Sequence, residues 1–589
     1  MVLEPITVQA RRVANLQPAS SYATLATELR FYPGIDLQSR GLSEGQADVT
    51  VRGGLFENTG FRLGAVTIFD PQTGHYAVEI PLDTAMLSSP EVLLDADNGL
   101  NGFNASVATV SYGFRKIATG GSLSVGIGTD SLIYGSVRVG QTRELKSGRQ
   151  LGALFSASGS TGDGTLPYGD HNFKRFSGQV QITSENAETN ILAGYHDKFF
   201  GWPGAYTGFA SLPETDHTKL GLLVLDHRQS VARGWWEIGA AYRHLKDDYD
   251  FDRRTNESGV PGSFEHETRS FTLGLSGELD AMGLDWAFSG QFVADRLVRS
   301  TDLVFGDFNS RSYLTLGIAP GRQWLLEGGR LLTARAGLRV DWSNRDEDTL
   351  LPLFSLDYEQ PMGEGSGSLG ISYSRNSQLP GYTALKSPPR GLFGGNADLG
   401  REYANTVTAR AGYQSTAWEL SAAVFRRVDD DLVDWTYLEG APFSRQANAV
   451  DLHVWGVETL TAWRSEKLDL VGSYTWLDKD ADYGAALVDA SYYALNYARH
   501  RVTLAIRYRL TRRFELRLDS AWRSQQSNPL RSGDEQAFIS SFSAYWRPWA
   551  DSRLRFNVIV DNLTDNEFEE FPGTPAMGRQ VSLGAVLAW

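Results

Sequence analysis

The sequence predicts an all-β membrane protein: a 22-stranded antiparallel transmembrane β-barrel with an N-terminal globular α+β plug domain inside the lumen. Three features point there. From about residue 116 to the end, apolar and polar residues alternate at period two. Tight turns recur between the alternating segments at barrel-like spacing. No run of about 18 apolar residues could form a transmembrane helix, whereas a barrel strand needs only one apolar face.

Taken in order, residues 1–20 form an N-terminal segment without a pattern that packs. Within it Glu4, Pro5, Ile6, Thr7, Val8, Gln9 and Ala10 make a short β-prone stretch suited to adding a strand to a partner's sheet edge. Residues 21–115 read as a small α+β unit. A helix is expected over 25–31, stopping before Pro33-Gly34, with strands over 47–52 and 63–69. Residues 90–94 follow, then a turn over 95–103 and an alternating stretch over 104–112.

Residues 116–589 are the barrel. The clearest strand is 332–342, with Leu332, Ala334, Ala336, Leu338, Val340 and Trp342 on one face and Arg335, Arg339 and Asp341 on the other. Eleven residues suit a tilted membrane strand and are long for a soluble sandwich. Segments 406–413, 501–510 and 514–522 repeat the pattern, with Arg501, Arg507, Arg509, Glu515, Arg517 and Asp519 expected in the lumen. The last stretch, 580–589, places Val581, Leu583, Ala585, Leu587 and Trp589 on one face, as a barrel-closing strand would. Short turns are expected at 145–149, 184–188, 230–234, 279–283, 327–330, 360–366, 414–417, 464–467, 510–513 and 549–552. These ten, with eleven connections on the opposite side beginning at a hairpin over 129–131, give 22 strands. Strand ends between 283 and 329 are blurred by residues 303–308. Trp235, Trp236, Trp418, Trp463, Trp546, Trp549 and Trp589 sit beside the short turns, where an interfacial aromatic girdle belongs.

Composition agrees. There are 61 Gly, 24 Tyr, 29 Phe and 15 Trp, but no Cys, which excludes disulfides, thiolate metal sites and a Cys nucleophile. The net charge of -15 argues against nucleic acid as a partner. No P-loop, G-x-S-x-G or H-E-x-x-H motif is present, and no enzyme activity is expected. No secretory signal begins at Met1, so the chain reads as a mature form.

Several segments resemble the TonB-dependent outer-membrane transporters. Residues 4–10 resemble the TonB box. The plug resemblance runs through Pro33-Gly34-Ile35, 49–53 (V-T-V-R-G), 64–70 and 90–94 (P-E-V-L-L); the family's following Gly-Gly is missing. In the barrel, 373–404 (ending G-G-N-A-D-L-G-R-E-Y-A), 496–504 and 557–584 resemble family segments. The family implies active import of a scarce, bulky ligand across the outer membrane of a Gram-negative bacterium. The TonB C-terminal domain would pull on the N-terminal segment from the periplasm. A lipid-embedded monomer is expected, and a surface lipoprotein is an open further partner. Residues 70–75 (D-P-Q-T-G-H), 197–201 (D-K-F-F-G) with Tyr206 and Thr218, and 242–252 resemble the vitamin B12 branch, making cobalamin the leading ligand. Ferric siderophores and haem are the alternatives. A passive channel or adhesin would instead tolerate loss of residues 4–10 and of the plug, and a soluble all-β protein would extract without detergent.

The ligand is expected in a bowl between plug apices and outer loops. Candidates on the plug are Gln46, Gln72, His75, Tyr76, Asn98 and Asn101, from turns at 43–46, 70–76 and 97–103. On the barrel, Phe199, Phe200, Trp202 and Tyr206 read as an aromatic-rich exposed loop over 198–209. Asp247, Asp248, Asp250 and Asp252 are a candidate structural Ca²⁺ loop, although they lack the glycine and distal Glu of an EF-hand. No other cofactor is required.

Overall fold

A computed structural model of the chain describes residues 19–42, 44–146, 148–254, 264–304, 307–389, 391–438 and 445–589. The TonB-box-like stretch Glu4 to Ala10, and Ser43, lie outside the described residues.

The plug begins with a short helix, α1 (Leu25–Leu29), started by a reciprocal cap. The Thr24 hydroxyl accepts from the Thr27 N–H at 3.2 Å, and the Thr24 N–H donates to the Thr27 hydroxyl at 2.7 Å. A hairpin follows, β1 (Ile35–Arg40) with β2 (Gln46–Val51). Then come β3 (Thr59–Leu63), β4 (Val66–Ile68), β5 (Glu91–Leu93), helix α2 (Asp95–Asn101) and β6 (Ala108–Tyr112). They form a four-stranded sheet in the order β4-β3-β6-β5, with β3 parallel to β6.

Two expectations need correction. Residues 63–69 are not one strand. Gly64, at positive φ, and Ala65 fold them into the β3–β4 hairpin. The wall fixes this turn: the Ala65 N–H donates to Asp226 at 3.0 Å, and Gln291 donates to the Ala65 carbonyl at 2.6 Å. Residues 95–103 are not a simple turn either, because 95–101 form α2. Its sequence, D-A-D-N-G-L-N, is a poor helix former. The helix is held from outside, since Arg339 of the barrel donates to the carbonyls of Asn98, Gly99 and Gly102 at 3.3, 3.0 and 2.9 Å.

The barrel opens with β7 (Gly120–Gly128), β8 (Ile133–Glu144), β9 (Gln150–Gly162), β10 (His171–Thr183), β11 (Ala187–Pro203), β12 (Pro213–Val231), β13 (Gly234–Asp250) and β14 (Phe264–Ala281). It continues to Gln580–Ala588, which pairs antiparallel with β7 and closes the wall. The result is a closed 22-stranded antiparallel barrel; two-residue pieces at Phe393–Gly394 and Ala490–Ser491 add pairings at its rim. The short connections fall where expected, and the blurred region resolves into Leu284–Ser300 and Ser310–Leu326. Several strands far exceed membrane thickness, Trp418–Tyr437 and Arg445–Arg464 having 20 residues each.

Alternation sets the two faces. On Arg330–Ser343, Leu338 and Val340 are 47% and 43% exposed toward lipid, while Arg339 is 1% exposed inside. Trp418, Trp546, Trp549 and Trp589 are exposed at the short-turn end. The wall departs from apolar-out, polar-in at β12. There Leu220, Leu222 and Val224 point inward and are buried, although Leu223 and Leu225 also meet lipid. With Leu192 and Leu245 they join Val66, Ile68, Ile80 and Leu82 of the plug in one core. Elsewhere smaller apolar clusters, such as Ala96 and Leu100 with Ala287, Ala319 and Leu353, alternate with polar contacts between plug and wall. Arg52 pairs with Asp95 and with Glu458 of the barrel, both at 2.9 Å, and Arg427 donates to the Arg52 carbonyl at 3.0 Å. Arg523 pairs with Asp36 at 2.8 Å, and Ser21 bonds Asp561 and Ser582, both at 2.7 Å.

Candidate functional site

At the long-loop end, plug and barrel together line a partly open cavity. The plug supplies its floor from the loop after β4 and from the turn Phe56–Asn58. The loop D-P-Q-T-G-H-Y is folded by its first residue: the Asp70 carboxylate accepts from the N–H groups of Gln72, Gly74 and Tyr76 at 3.4, 3.0 and 3.4 Å. Gly74 stands at φ +77, where a Cβ would also meet Glu57 Cγ at 2.8 Å. The wall holds the loop in place. Arg243 pairs with Asp70 at 3.5 Å and donates to the Tyr76 carbonyl at 3.0 Å. Arg311 donates to the Pro71 carbonyl at 3.0 Å, and the N–H groups of Tyr382 and Thr383 donate to the carbonyls of Pro71 and Gln72 at 2.9 Å each.

The structure brings four of the candidate ligand residues together: Gln72, His75, Tyr76 and Tyr206 line the cavity, beside Asp247 of the candidate Ca²⁺ set. His75 lies flat on Phe56 at 4.1 Å between centroids and places Nδ1 2.8 Å from Asp48. Its burial holds the ring's pKa below the ordinary histidine value, against the opposing pull of Asp48. Tyr76 and Tyr206 both donate to one carboxylate oxygen of Asp216, at 3.1 and 2.6 Å. Gln46 sits just beneath, donating to the His75 carbonyl at 2.5 Å.

Other candidates fall elsewhere. Asn98 is fully buried inside the plug, donating to the Ala105 carbonyl and accepting from Thr109. Asn101 accepts from Arg62 on the wall-facing helix. Neither reaches the bowl, because 95–101 is a helix laid against the barrel. Phe199, Phe200 and Trp202 are not on an exposed loop, since β11 runs through to Pro203. Period two splits them: Phe200 and Trp202 point inward, and Trp202 packs on Gly41 and donates to the Pro575 carbonyl at 2.8 Å. Phe199 faces the other way, beside His217 and Arg253. The four aspartates do not form a loop cage either. Asp247 and Asp248 alternate about β13; Asp247 bonds His266, Asp250 accepts the Asp252 N–H, and Asp252 pairs with Arg254. Among the described residues no group of three or more His, Asp or Glu converges as a metal site.

Thr73 of the 70–76 turn also lines the cavity, and the remaining lining was missed from sequence: Glu57, Tyr249, Phe264, His266, Asp302, Thr383, Phe393, Trp435, Arg445 and Tyr493. They come from nine separate stretches that only barrel closure assembles. His266 bridges two carboxylates, Nδ1 to Asp247 at 2.9 Å and Nε2 to Asp302 at 2.7 Å. Arg445 lies over the Tyr492 ring at 3.4 Å. The Glu57 carboxyl makes no hydrogen bond or ion pair with any described residue. Burial first, then Glu402, Asp48, Asp70 and Asp434, raise its pKa well above the usual carboxylate range. A second cavity lies between the plug and β10–β11, where Lys198 and His196 face Glu79.

A family model described as "TonB dependent receptor-like, beta-barrel" matches residues 147–563. The chain belongs to the TonB-dependent receptors. Solved structures share the fold at low identity. The siderophore receptor PirA from Pseudomonas aeruginosa aligns at 14% identity and TM-score 0.67, covering 97% of each chain. The copper transporter OprC aligns at 15% and 0.72, covering 96% of this chain and 95% of its own. The FrpB iron transporter from Neisseria meningitidis aligns at 14% and 0.73, covering 97% and 98%. No curated protein matches by sequence. As a TonB-dependent receptor, the chain is an outer-membrane transporter of the Gram-negative type, and its closed wall and internal plug are that architecture.

Proposed function

We propose that this receptor binds a metal chelate in the bowl and imports it when the TonB C-terminal domain pulls on residues 4–10. The observation that carries this is the bowl's divided ownership. Glu57, Gln72, His75 and Tyr76 belong to the plug; Tyr249, His266, Trp435 and Arg445 belong to the barrel. Moving the plug must therefore dismantle the binding site, so one pull both opens a path and releases the ligand. The aromatic lining suits a bulky chelate with apolar faces. A ferric siderophore fits that description, and the siderophore, iron and copper proteins sharing the fold support the class. Cobalamin stays in contention through the resemblance of the 70–76 loop, which does line the bowl.

The test is calorimetry on detergent-purified protein with cyanocobalamin and with a panel of ferric siderophores, each with and without Ca²⁺. Saturable binding at micromolar level or tighter by one of them names the class. Deleting residues 4–10 should then leave that affinity intact while abolishing uptake by cells. Unchanged uptake after the deletion would instead make the barrel a passive channel.

A further inference from the structure

The bowl's uncommitted donors narrow the ligand, and this inference rests on the import reading above. Most polar side chains of the lining are satisfied within the protein. Tyr76 and Tyr206 donate to Asp216, and Tyr249 donates to Glu214 at 2.8 Å. His75 is turned onto Asp48, His266 lies between Asp247 and Asp302, and the Tyr493 hydroxyl accepts from Arg40 at 3.5 Å. Three lining atoms lack partners among the described residues but are sealed from solvent: Gln72 Oε1, Asp247 Oδ1 and Thr383 Oγ1. A ligand in the cavity reaches them only if a side chain moves.

Two barrel donors are placed differently. Neither the Arg445 guanidinium nor the Trp435 indole N–H has an acceptor among the described residues, and neither is sealed. Arg445 opens the strand Arg445–Arg464, and Trp435 lies on Trp418–Tyr437. In the ladder Tyr437 faces Arg445 and Trp435 faces Ala447, so Trp435 and Arg445 are diagonal neighbours, and both line the cavity. Phe393 joins them, its ring 6.4 Å from that of Trp435 and 5.6 Å from the guanidinium. Tyr492 holds the guanidinium from 3.4 Å.

Arg445 is only 5% exposed and forms no ion pair with any described residue. Ring faces attract a cation but leave its N–H groups unfilled, and a nearly buried charge without a counter-ion is costly. The lining carboxylates do not supply one. Asp247 and Asp302 share His266, while burial and neighbouring carboxylates favour the neutral form of Glu57. A planar guanidinium offers paired N–H groups to an oxyanion, and the indole adds a further donor.

We infer that Arg445 and the Trp435 N–H form an oxyanion subsite on the barrel side of the bowl, and that the imported ligand seats a carboxylate or a phosphodiester there. The remainder of the ligand lies against Tyr206, Tyr249 and Phe393.

The test uses two matched probe pairs on the full-length protein in detergent, read by calorimetry. In the first, the terminal amine of ferrioxamine B is capped with succinate, leaving a free carboxylate, or with acetate, leaving none. In the second, cyanocobalamin, which carries a phosphodiester, is set against cyanocobinamide, which lacks it. In whichever pair binds, the oxyanion member should bind at least about tenfold more tightly. Arg445→Gln should bring the two members within about threefold by weakening the oxyanion member alone. Trp435→Phe, which keeps a ring and removes the N–H, should weaken the same member by about fivefold. Unchanged affinity for the other member shows that the bowl is intact. Equal affinities within a binding pair, or an Arg445→Gln variant that weakens both members alike, overturns the inference and leaves chelate import standing. If neither pair binds, the chelate reading itself fails, and the inference falls with it.

Discussion

The plug touches its barrel along two unlike seams. Against β11–β13 it is joined by an apolar core: Leu192, Leu220, Leu222, Val224 and Leu245 from the wall pack on Val66, Ile68, Ile80 and Leu82. Around the rest of the circumference the apolar clusters are smaller, such as Ala96 and Leu100 with Ala287, Ala319 and Leu353, and they are interleaved with polar contacts: Arg339 to the carbonyls of α2, Arg52 to Glu458, Arg523 to Asp36 and Ser21 to Asp561. The physics of the two differs. An apolar seam loses burial free energy as soon as it separates. A polar seam can exchange protein partners for water, provided water reaches it. The apolar side should therefore act as a hinge or anchor and the polar side should give way when the plug is pulled.

The sharpest way to break that comparison is to stitch the polar seam shut. A Cβ added to Gly99 would lie 3.2 Å from Ser374 Cβ, close to disulfide spacing, and the chain has no other cysteine to interfere. Oxidised Gly99→Cys/Ser374→Cys should bind its ligand yet import it at least about tenfold more slowly, with reductant restoring the rate. Parent-like import by the oxidised protein would place the sliding surface elsewhere.

Next in size is Arg339→Met. It strips the carbonyls of Asn98, Gly99 and Gly102 of a donor and leaves the buried Asp341 without its 2.8 Å ion pair. The local cost should be about 3–5 kcal/mol, read as faster hydrogen exchange across residues 95–103. Leu222→Ala opens a cavity in the apolar seam and should destabilise the plug by about 3 kcal/mol. Its exchange should rise in β4 and residues 78–82 and not in α2; a uniform rise would mean the two seams are one cooperative unit.

The bowl floor gives a pH-dependent test. The folded pKa of Glu57 lies above its unfolded value, mainly through burial and then through Glu402. The cost of that carboxyl is absent below about pH 4 and develops as pH rises through the window between the two values. Glu57→Gln should therefore match the parent's thermal midpoint at about pH 4 and exceed it at neutral pH. Thermal scans of both proteins across that range decide it. The smallest effect is expected outside both seams: Arg579→Ala removes a half-exposed pair with Asp565 and should change stability by less than about 1 kcal/mol.

The barrel was legible because lipid and lumen impose opposite chemistry on successive residues, as Leu338, Arg339 and Val340 show. The short connections were legible for the same reason, since alternation stops at each. What escaped was structure imposed from a distance. Helix α2 has no helical signal of its own and exists because Arg339, about 240 residues away, holds its carbonyls. The β3–β4 turn at Gly64 is fixed by Asp226 and Gln291. The aromatics at 199–202 looked like a loop because strands here extend past the membrane, where composition no longer marks the face. One further signal was readable: residues 222–225 are apolar on both faces, the mark of a strand buried on both sides, and they identify the apolar seam. In the bowl, the 70–76 loop announced itself through its own turn chemistry. Glu57, His266, Trp435 and Arg445 did not, because only barrel closure brings them together.

The bond from Ser21 to Ser582 spans 561 positions of the chain. Ser582 lies on the strand that zips against β7, and Asp561, the other partner of Ser21, lies on its neighbour. The plug is thus moored at the one place where the sheet has to be sewn to itself. Hairpins elsewhere can form early and locally, but this join must wait for both ends of the chain to meet. During biogenesis the mooring and the final zipping share a doorway, so a plug still outside when the last strands pair would be locked out by a finished wall.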